Sequence, residues 1–190
     1  MRSLRLLFAV LAAVVASPTG SSAAAARTPL ATWFGAQTCP ALDGLYSKRQ
    51  PPYVKTGSEG LVVDIPMAVL SKQQPSITVP WYAYDPKTNV ALSHIGGDSD
   101  VVWTLRLVKG APPTPIPTVD LSSAHTSSGL KIGASAASVV RTLGKPLVIH
   151  ACGMERYEYS DDNDPQAEQN DLDFTIKNGR VIEIAHTSWG

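Results

Sequence analysis

The stretch that decides the fold of this chain is residues 172–184, which read Leu-Asp-Phe-Thr-Ile-Lys-Asn-Gly-Arg-Val-Ile-Glu-Ile. Apolar and polar residues alternate on both sides of the Asn-Gly pair, which is a strong short-range signal for a β-hairpin. A two-residue turn pairs Ile176 with Val181, whereas a three-residue loop with a bulge at the glycine pairs Phe174 with Ile182. The second register places the bulky apolar residues on one face, so we predict it.

A short helix is predicted over residues 130–144, upstream of this hairpin. Ser135 is a good N-cap, and Gly144 and Pro146 supply the signals for the end of the helix. Its apolar face recurs at three- and four-residue steps and consists of Ile132, Ala136, Val139, Val140 and Leu143. The helix and the strands after it predict a three-stranded antiparallel meander within residues 121–190.

The N-terminal part, residues 27–109, starts with a loop-rich stretch and continues with strand-like runs from 61 to 108. Residues 110–120 follow as a proline-rich linker, because prolines at 112, 113, 115 and 117 exclude a helix or a central strand. The predicted fold class is therefore α+β, with a small antiparallel β unit followed by a helix and a three-stranded antiparallel meander.

Residues 1–26 have the layout of a cleavable secretory signal peptide, with Arg2 and Arg5 ahead of an apolar run of 11 residues, Leu6 to Ala16. A transmembrane helix needs about 20 apolar residues, so we predict no transmembrane span; a retained, membrane-tethered N-terminus is the alternative. We expect a periplasmic or secreted protein. Without the signal its formal charge is −2, which argues against a nucleic-acid binder.

The chain has two cysteines, Cys39 and Cys152, which lie 113 positions apart. An exported chain with two cysteines most simply forms one disulfide, so we predict this pair. The alternative is a reactive or metal-binding thiol, for which His150 and Cys152 would be two ligands. No Cys-x-x-Cys pair completes such a site, and no metal site is predicted.

Half of the 16 acidic residues lie within 155–173. Period-two alternation directs Tyr157, Tyr159, Phe174 and Ile182 towards the helix. The opposite face is predicted to be open and to bind a partner with a basic surface; it consists of Arg156, Glu158, Asp171, Asp173, Thr175 and Glu183. A plain solvated sheet face is the alternative.

Several ordered motifs between about 129 and 187 resemble one known module, the SmpA/OmlA and β-lactamase-inhibitor-like module. They are Leu130-Lys131-Ile132-Gly133-Ala134-Ser135, Val139-Val140, Leu143-Gly144-Lys145-Pro146, Tyr157-x-Tyr159, Leu172-x-Phe174 and Asn178-Gly179-Arg180-Val181-x-x-Ile184. The resemblance implies a small α+β module of exported bacterial proteins, with a helix on one sheet face and the other face available to a partner. The lipid-anchor cysteine and the tandem repeat of some members are missing.

No motif in the sequence indicates catalysis: His-Glu-x-x-His, Gly-x-Ser-x-Gly and phosphate-binding glycine loops do not occur. The acidic run 161–164 precedes a proline and lacks the glycine of a calcium loop, so we interpret it as an acidic hairpin loop. Trp81, Tyr82 and Tyr84 are interpreted as core residues of a strand, with an aromatic recognition patch as the alternative. The histidines lie in unrelated contexts: His94, His125, His150 and His186.

The resulting hypothesis is a non-catalytic protein that binds another exported or envelope protein, as an enzyme inhibitor or an envelope scaffold. No catalytic residue and no cofactor is predicted. One alternative is a small exported hydrolase whose site is built from scattered histidine and aspartate residues. The other is a purely structural envelope protein.

Overall fold

The fold is taken from a computed structural model, which describes Leu30, Trp33, Phe34, Leu42 and residues 51–65, 81–96, 102–160 and 171–189. The predicted signal peptide, Cys39 and the acidic run 161–164 lie outside the described residues. In the described part, no helix is both long and apolar enough to cross a membrane.

The described chain is built mainly from strands. They are β1 Leu61–Val62, β2 Trp81–Asp85, β3 Val90–Gly96, β4 Val102–Lys109, β5 His125–Thr126, β6 Leu147–Ala151, β7 Met154–Ser160, β8 Asp171–Lys177 and β9 Arg180–Trp189. The helix α1, Ala136–Leu143, lies between β5 and β6. Seven strands form one antiparallel sheet in the order β2-β3-β4-β9-β8-β7-β6, and β1 pairs with β5 in a separate antiparallel sheet.

The predicted α+β class is wrong: the described protein is mostly β, and its helix has only eight residues. Two features were missed. Residues 147–151 form a fourth strand of the C-terminal meander, and the ten-residue β9 pairs with β4 from Val102↔Trp189 to Val108↔Glu183. Because β9 pairs on both sides, the two predicted β units join into one sheet. The division of the chain into domains stays a prediction.

The Asn178-Gly179 turn has two residues and not three, so Ile176 pairs with Val181. Both turn residues have positive φ, 51° and 70°, which is the conformation of a type I′ turn. This turn has the twist that antiparallel strands need, and asparagine and glycine tolerate its backbone angles. The predicted three-residue loop is therefore wrong.

A bulge in the same hairpin shifts the register between Thr175 and Ile176, so that Phe174 pairs with Ile184. The extra residue on β9 is Ile182, which packs with Leu42 on the face away from α1. The predicted pairing of Phe174 with Ile182 is wrong, because the bulge and not the turn brings the large apolar residues to one face.

The two predicted caps of α1 agree with the structure, but the predicted start at residue 130 is wrong, because the helix begins at Ala136, directly after its cap. Ser135 is the N-cap, and its hydroxyl accepts a hydrogen bond from the Ser138 backbone N–H at 3.1 Å. The helix ends before Gly144, whose φ of 97° favours glycine. Val139 and Leu143 are fully buried against the sheet, whereas Val140 is 36% exposed and does not belong to the buried face.

The face of the sheet that α1 covers, called here the helix face, carries two apolar clusters. One surrounds α1 and includes Tyr159, Leu172, Phe174 and Ile184. The other lies on β2, β3 and β4 and includes Trp81, Leu92 and Leu107. Leu61 and Ile132 contact both clusters, so the helix face has a continuous core.

The predicted linker does not interrupt the sheet but returns along its β2 edge. The Tyr84 N–H donates to the Pro117 carbonyl at 2.9 Å, and the Val119 N–H donates to the Tyr84 carbonyl at 3.1 Å. Asp85 secures this segment, because its buried carboxylate accepts hydrogen bonds from the N–H groups of Lys87 and Leu121. The chain therefore covers part of one edge of its own sheet.

Candidate functional site

The six predicted partner-binding residues lie together on the face of the sheet away from α1. Glu158 is opposite Asp173, Arg156 is opposite Thr175, and Thr175 is opposite Glu183. Asp171 lies two residues before Asp173 on β8, and therefore on the same face. We call this set, together with Arg106 of β4, the charged face.

The charged face is not open, so the expectation of an exposed acidic surface is wrong. Thr175 is 2% exposed, Glu183 4%, Glu158 6% and Arg156 7%. Residues of the loop-rich N-terminal stretch lie over this side of the sheet. Trp33 and Phe34 pack on β2, β3 and β4, and Leu42 packs against Met154, Ile149 and Ile182.

Arg156 makes the closest contacts of the charged face. Its Nη2 lies 2.6 Å from Glu158 Oε1, and its Nη1 donates to the Leu42 carbonyl at 2.6 Å. Both side chains of the ion pair are more than nine-tenths buried. Arg156 therefore neutralises a buried carboxylate and holds the covering segment against the sheet.

Arg106 is not among the six predicted residues, and it lies on the charged face because it alternates with Leu105 and Leu107 of the helix face along β4. Its Nε lies 3.1 Å from Glu183 Oε1, and the Thr175 hydroxyl donates to Glu183 Oε2 at 2.7 Å. The sequence pattern alone does not group Arg106 with the other charged residues, because only the pairing of β4 with β9 brings Arg106 to Glu183.

The carboxyl groups of the charged face have perturbed pKa values. Burial raises the pKa of Asp173 to about 8; Arg156 opposes this shift, and the charges of Glu158, Asp171 and Glu183 add to it. Burial also raises the pKa of Glu158, against the influence of Arg156. This shift favours the protonated form of Asp173 at neutral pH.

This shift predicts that Asp173 makes the protein less stable as the pH rises. Between about pH 4 and pH 8 the unfolded chain has lost the Asp173 proton while the folded chain keeps it, so the free energy of unfolding falls with pH. We expect Asp173→Asn to reduce this fall by about 1–3 kcal/mol between pH 5 and pH 8. Urea unfolding at the two pH values measures it.

The control for this prediction is Asp64→Asn, since Asp64 is exposed and lies away from the charged face. Asp64→Asn should leave the pH dependence as in the parent protein. Equal pH dependence in the parent and in Asp173→Asn would contradict a protonated Asp173 in the folded state.

The two edges of the seven-stranded sheet differ. At the β2 edge, residues 117–119 pair with Tyr84. At the other edge, β6 reads Leu-Val-Ile-His-Ala, and no described residue outside β7 hydrogen-bonds to its backbone. Strands with unpaired edges normally carry charges, prolines or a covering segment that block pairing with another chain. β6 carries no Asp, Glu, Lys, Arg or proline along its five residues, and no described segment pairs with its outer side.

The hairpin geometry shows which backbone groups of β6 point outwards. The turn at 152–153 has two residues with positive φ, so Ala151 and Met154 close the hairpin as a hydrogen-bonded pair. Such pairs alternate with non-hydrogen-bonded pairs along an antiparallel ladder. Val148 and Tyr157 form a non-hydrogen-bonded pair, so the N–H and C=O of Val148 point away from β7, towards the free edge.

The side chains along this edge are accessible on the helix face. Val148 is 37% exposed, and His150 Nδ1 lies 3.7 Å from Glu155 Oε1 with both side chains exposed. Exposed cations lie near the start of the strand: Lys55, Arg141 and Lys145. In the part of the chain that the structure describes, none of these three forms an ion pair.

The four histidines have separate surroundings. His94 stacks on Trp81 with ring centroids 5.4 Å apart, and burial lowers its pKa. His186 is buried on the helix face and lies in one row with His94, on either side of Leu105. His125 bonds the Ser123 carbonyl. Among the described residues, no group of three His, Cys, Asp or Glu side chains is arranged to hold a metal ion.

Trp81, Tyr82 and Tyr84, for which an aromatic recognition patch was the alternative interpretation, are divided between the two faces of the sheet. Trp81 lies in the core of the helix face, while Tyr82 stacks on Phe34 on the opposite face with ring centroids 5.4 Å apart.

A cavity of about 110 Å³ lies between β3, β4 and the segment after β5, with Lys109 and Lys131 in its lining. It is smaller than the few hundred Å³ of a typical ligand pocket.

Cys152 lies in the turn between β6 and β7, with a φ of 52°. No cysteine among the described residues is free, and Cys152 is disulfide-bonded. Because Cys39 lies outside the described residues, the pairing of the two stays a prediction.

Comparisons with protein-family models, with curated proteins and with solved structures found no match to this chain. The resemblance to the SmpA/OmlA and β-lactamase-inhibitor-like module therefore stays a prediction.

Proposed function

We propose that this chain is an exported, non-catalytic protein-binding module that takes an extended segment of its partner along the β6 edge. The partner would be another exported or envelope protein. A chain that adds to a sheet edge gains affinity from main-chain hydrogen bonds and specificity from alternate side chains. Both an enzyme inhibitor and an envelope scaffold can bind a partner by taking one of its segments along a sheet edge.

One observation carries the proposal, namely the contrast between the two sheet edges. The proline-rich segment pairs with β2 at Tyr84, while β6 presents apolar residues and outward N–H and C=O groups. The charged face supports the proposal less, because Arg156, Glu158 and Glu183 are buried, and Arg156 donates to the Leu42 carbonyl. No observation on the described residues favours the hydrolase alternative.

The test removes the outward donor of β6 without altering the ladder to β7. Val148→Pro deletes the N–H that faces the free edge, and proline is tolerated on an edge strand where the N–H faces solvent. Val148→Thr keeps the N–H and a β-branched side chain, and is the matched control. The oxidised mature protein and both variants are immobilised and exposed to cell-envelope and culture extract.

We expect the parent and Val148→Thr to capture the same partner, and Val148→Pro to lose it by about tenfold or more. Circular dichroism and urea unfolding confirm that each variant is folded. A partner captured equally by all three proteins would overturn the β6 edge as the binding surface.

A further inference from the structure

We propose that the cavity between β3, β4 and residues 121–132 binds a short aliphatic carboxylate, with its tail on the apolar floor and its carboxylate beside Lys109 and Lys131. The cavity lies in the half of the sheet that contains β2, β3 and β4, whereas β6 is the opposite edge. The inference is therefore independent of the proposed function, and the failure of either leaves the other standing.

The floor of the cavity is apolar. Its residues belong to, or pack against, the cluster on β2, β3 and β4; they are Val90, Leu107, Leu121, Ala124 and Ile132. The first four are less than a tenth exposed, so the floor is part of the core of the helix face. An aliphatic tail that covers such a surface gains about fourfold in affinity for each buried methylene.

Hydrogen bonds hold the wall that faces β3 and β4. The Leu121 N–H donates to the Asp85 carboxylate at 3.0 Å, and the Ala124 N–H donates to the Leu121 carbonyl at 3.0 Å. On the sheet side, Val90 pairs with Lys109. Because both sides are held by the fold, a ligand would have little ordering to offset when it binds.

Two ammonium groups lie in the lining of this apolar floor. Lys109 and Lys131 are both exposed, and the Lys131 Nζ donates to the Ser122 carbonyl at 3.0 Å. An ammonium has three donors, so Lys131 keeps donors for a ligand. Within the described ranges, neither lysine forms an ion pair. A carboxylate beside both lysines would accept charge-assisted hydrogen bonds.

The two carboxylates next to the wall of the cavity are held by backbone donors. Asp85 accepts hydrogen bonds from the N–H groups of Lys87 at 2.8 Å and Leu121 at 3.0 Å. Asp120 accepts one from the Ser122 N–H at 2.9 Å. These contacts direct both carboxylates to the backbone, and neither is within ion-pair distance of a described lysine.

The acidic residues outside the described ranges are those within 97–101 and 161–170, and Asp43. Residues 97–101 connect β3 to the end of β4 that is away from Lys109. Residues 161–170 connect β7 to β8 at that same end of the sheet. Asp43 follows Leu42, which packs on the face opposite the cavity. The cavity is therefore at the end of the sheet away from the two acidic connections.

The size of the cavity sets the length of the tail. A cavity of about 150 Å³ lined by apolar side chains holds benzene. The cavity of this protein, about 110 Å³, therefore has room for a chain of about three or four carbons. Butyrate meets this limit and carries one carboxylate, so it is the probe for the proposed site.

The experiment titrates the oxidised, isotope-labelled mature protein with sodium butyrate and follows amide chemical shifts by two-dimensional NMR. Acetate keeps the carboxylate but shortens the tail, butylammonium keeps the tail but reverses the charge, and sulfate supplies negative charge without a tail. All titrations are made at one ionic strength. The variant Lys109→Gln with Lys131→Gln removes the two charges of the cavity. Its matched control is Lys55→Gln with Lys145→Gln, which removes two exposed charges elsewhere.

We expect butyrate to shift the amides around the cavity, including those of Ala124 and Lys131, with a Kd in the low-millimolar range. Acetate should bind about tenfold more weakly because it lacks two methylenes, and butylammonium and sulfate should also bind at least about tenfold more weakly. The Lys109→Gln and Lys131→Gln variant should weaken butyrate binding about fivefold, whereas the control should match the parent. Circular dichroism checks that both variants are folded.

Equal affinities for butyrate and butylammonium would overturn the role of the two lysines and with it the inference. Equal affinities for butyrate, acetate and sulfate would overturn the role of the apolar floor. Equal weakening in both double variants would show that only the net charge of the protein matters, which also overturns the site. Absence of shifts around the cavity at about 50 mM butyrate would overturn the inference outright.

Discussion

Arg156→Leu is expected to lower the free energy of unfolding by about 3–5 kcal/mol, because it leaves a buried carboxylate without its partner. The Arg156 guanidinium lies 2.6 Å from Glu158 and also donates to the Leu42 carbonyl. Its loss therefore leaves a charge and a carbonyl without hydrogen bonds in the interior. Urea unfolding at neutral pH measures the effect.

The matched control is Arg141→Leu, since Arg141 is exposed on α1 and forms no ion pair with any described residue. That substitution should change stability by less than about 0.5 kcal/mol. Replacing Arg156 by Met and Glu158 by Leu together should recover much of the loss, because a buried ion pair contributes little beyond an apolar pair of similar volume. Equal effects of Arg156→Leu and Arg141→Leu would show that the ion pair is not buried in solution.

Removal of the predicted Cys39–Cys152 disulfide is expected to lower the free energy of unfolding by about 4 kcal/mol, since the bond closes a long loop. It would also join Cys39, three positions before Leu42, to the β6–β7 turn, and Leu42 packs on the side of the sheet that carries the charged face. Urea unfolding of the parent protein with and without reductant measures the loss.

The control for the disulfide is the variant Cys39→Ser and Cys152→Ser. It should have the stability of the reduced parent and should not respond to reductant. A parent protein whose unfolding midpoint is unchanged by full reduction, verified by thiol titration, would show that the bond does not stabilise the fold.

Features that depend on neighbours in the sequence were predicted well. Ser135 and Gly144 mark the ends of α1 because capping needs only a hydroxyl or a positive φ at one position. Alternation correctly placed Tyr157, Tyr159 and Phe174 on the helix face, but the prediction was wrong for Ile182, which the bulge turns to the opposite face. A strand directs successive side chains to opposite sides whatever lies next to it.

Features that depend on strand partners were predicted poorly. The Asn178-Gly179 pair favours a two-residue turn, but the register beyond it is changed by the bulge at Ile182. The bulge is favoured by the packing of Phe174 against Ile184 in the core, which no local pattern contains. Arg106 and Glu183 meet only because β4 and β9 are neighbours in the sheet.

For the charged face, alternation correctly grouped Glu158, Asp173 and Thr175 on one side of the sheet. Its burial was not predicted, because the cover includes Leu42, whose carbonyl accepts a hydrogen bond from Arg156, 114 positions later in the chain. Charge runs are usually solvated, and this preference led to the prediction of an open surface. The pKa of Asp173 follows from the cover and from the neighbouring carboxylates.

The sequence by itself determined the caps of the helix, the position of the hairpin turn at Asn178-Gly179 and the grouping of the charged residues, because these depend on backbone preferences and side-chain periodicity within a few residues. Only the tertiary structure decided that one sheet contains both halves, that the charged face is buried and that β6 is left as a free edge. These outcomes depend on which distant segments pack and pair, since each strand can hydrogen-bond on two sides and only the assembled sheet leaves one side of β6 unpaired.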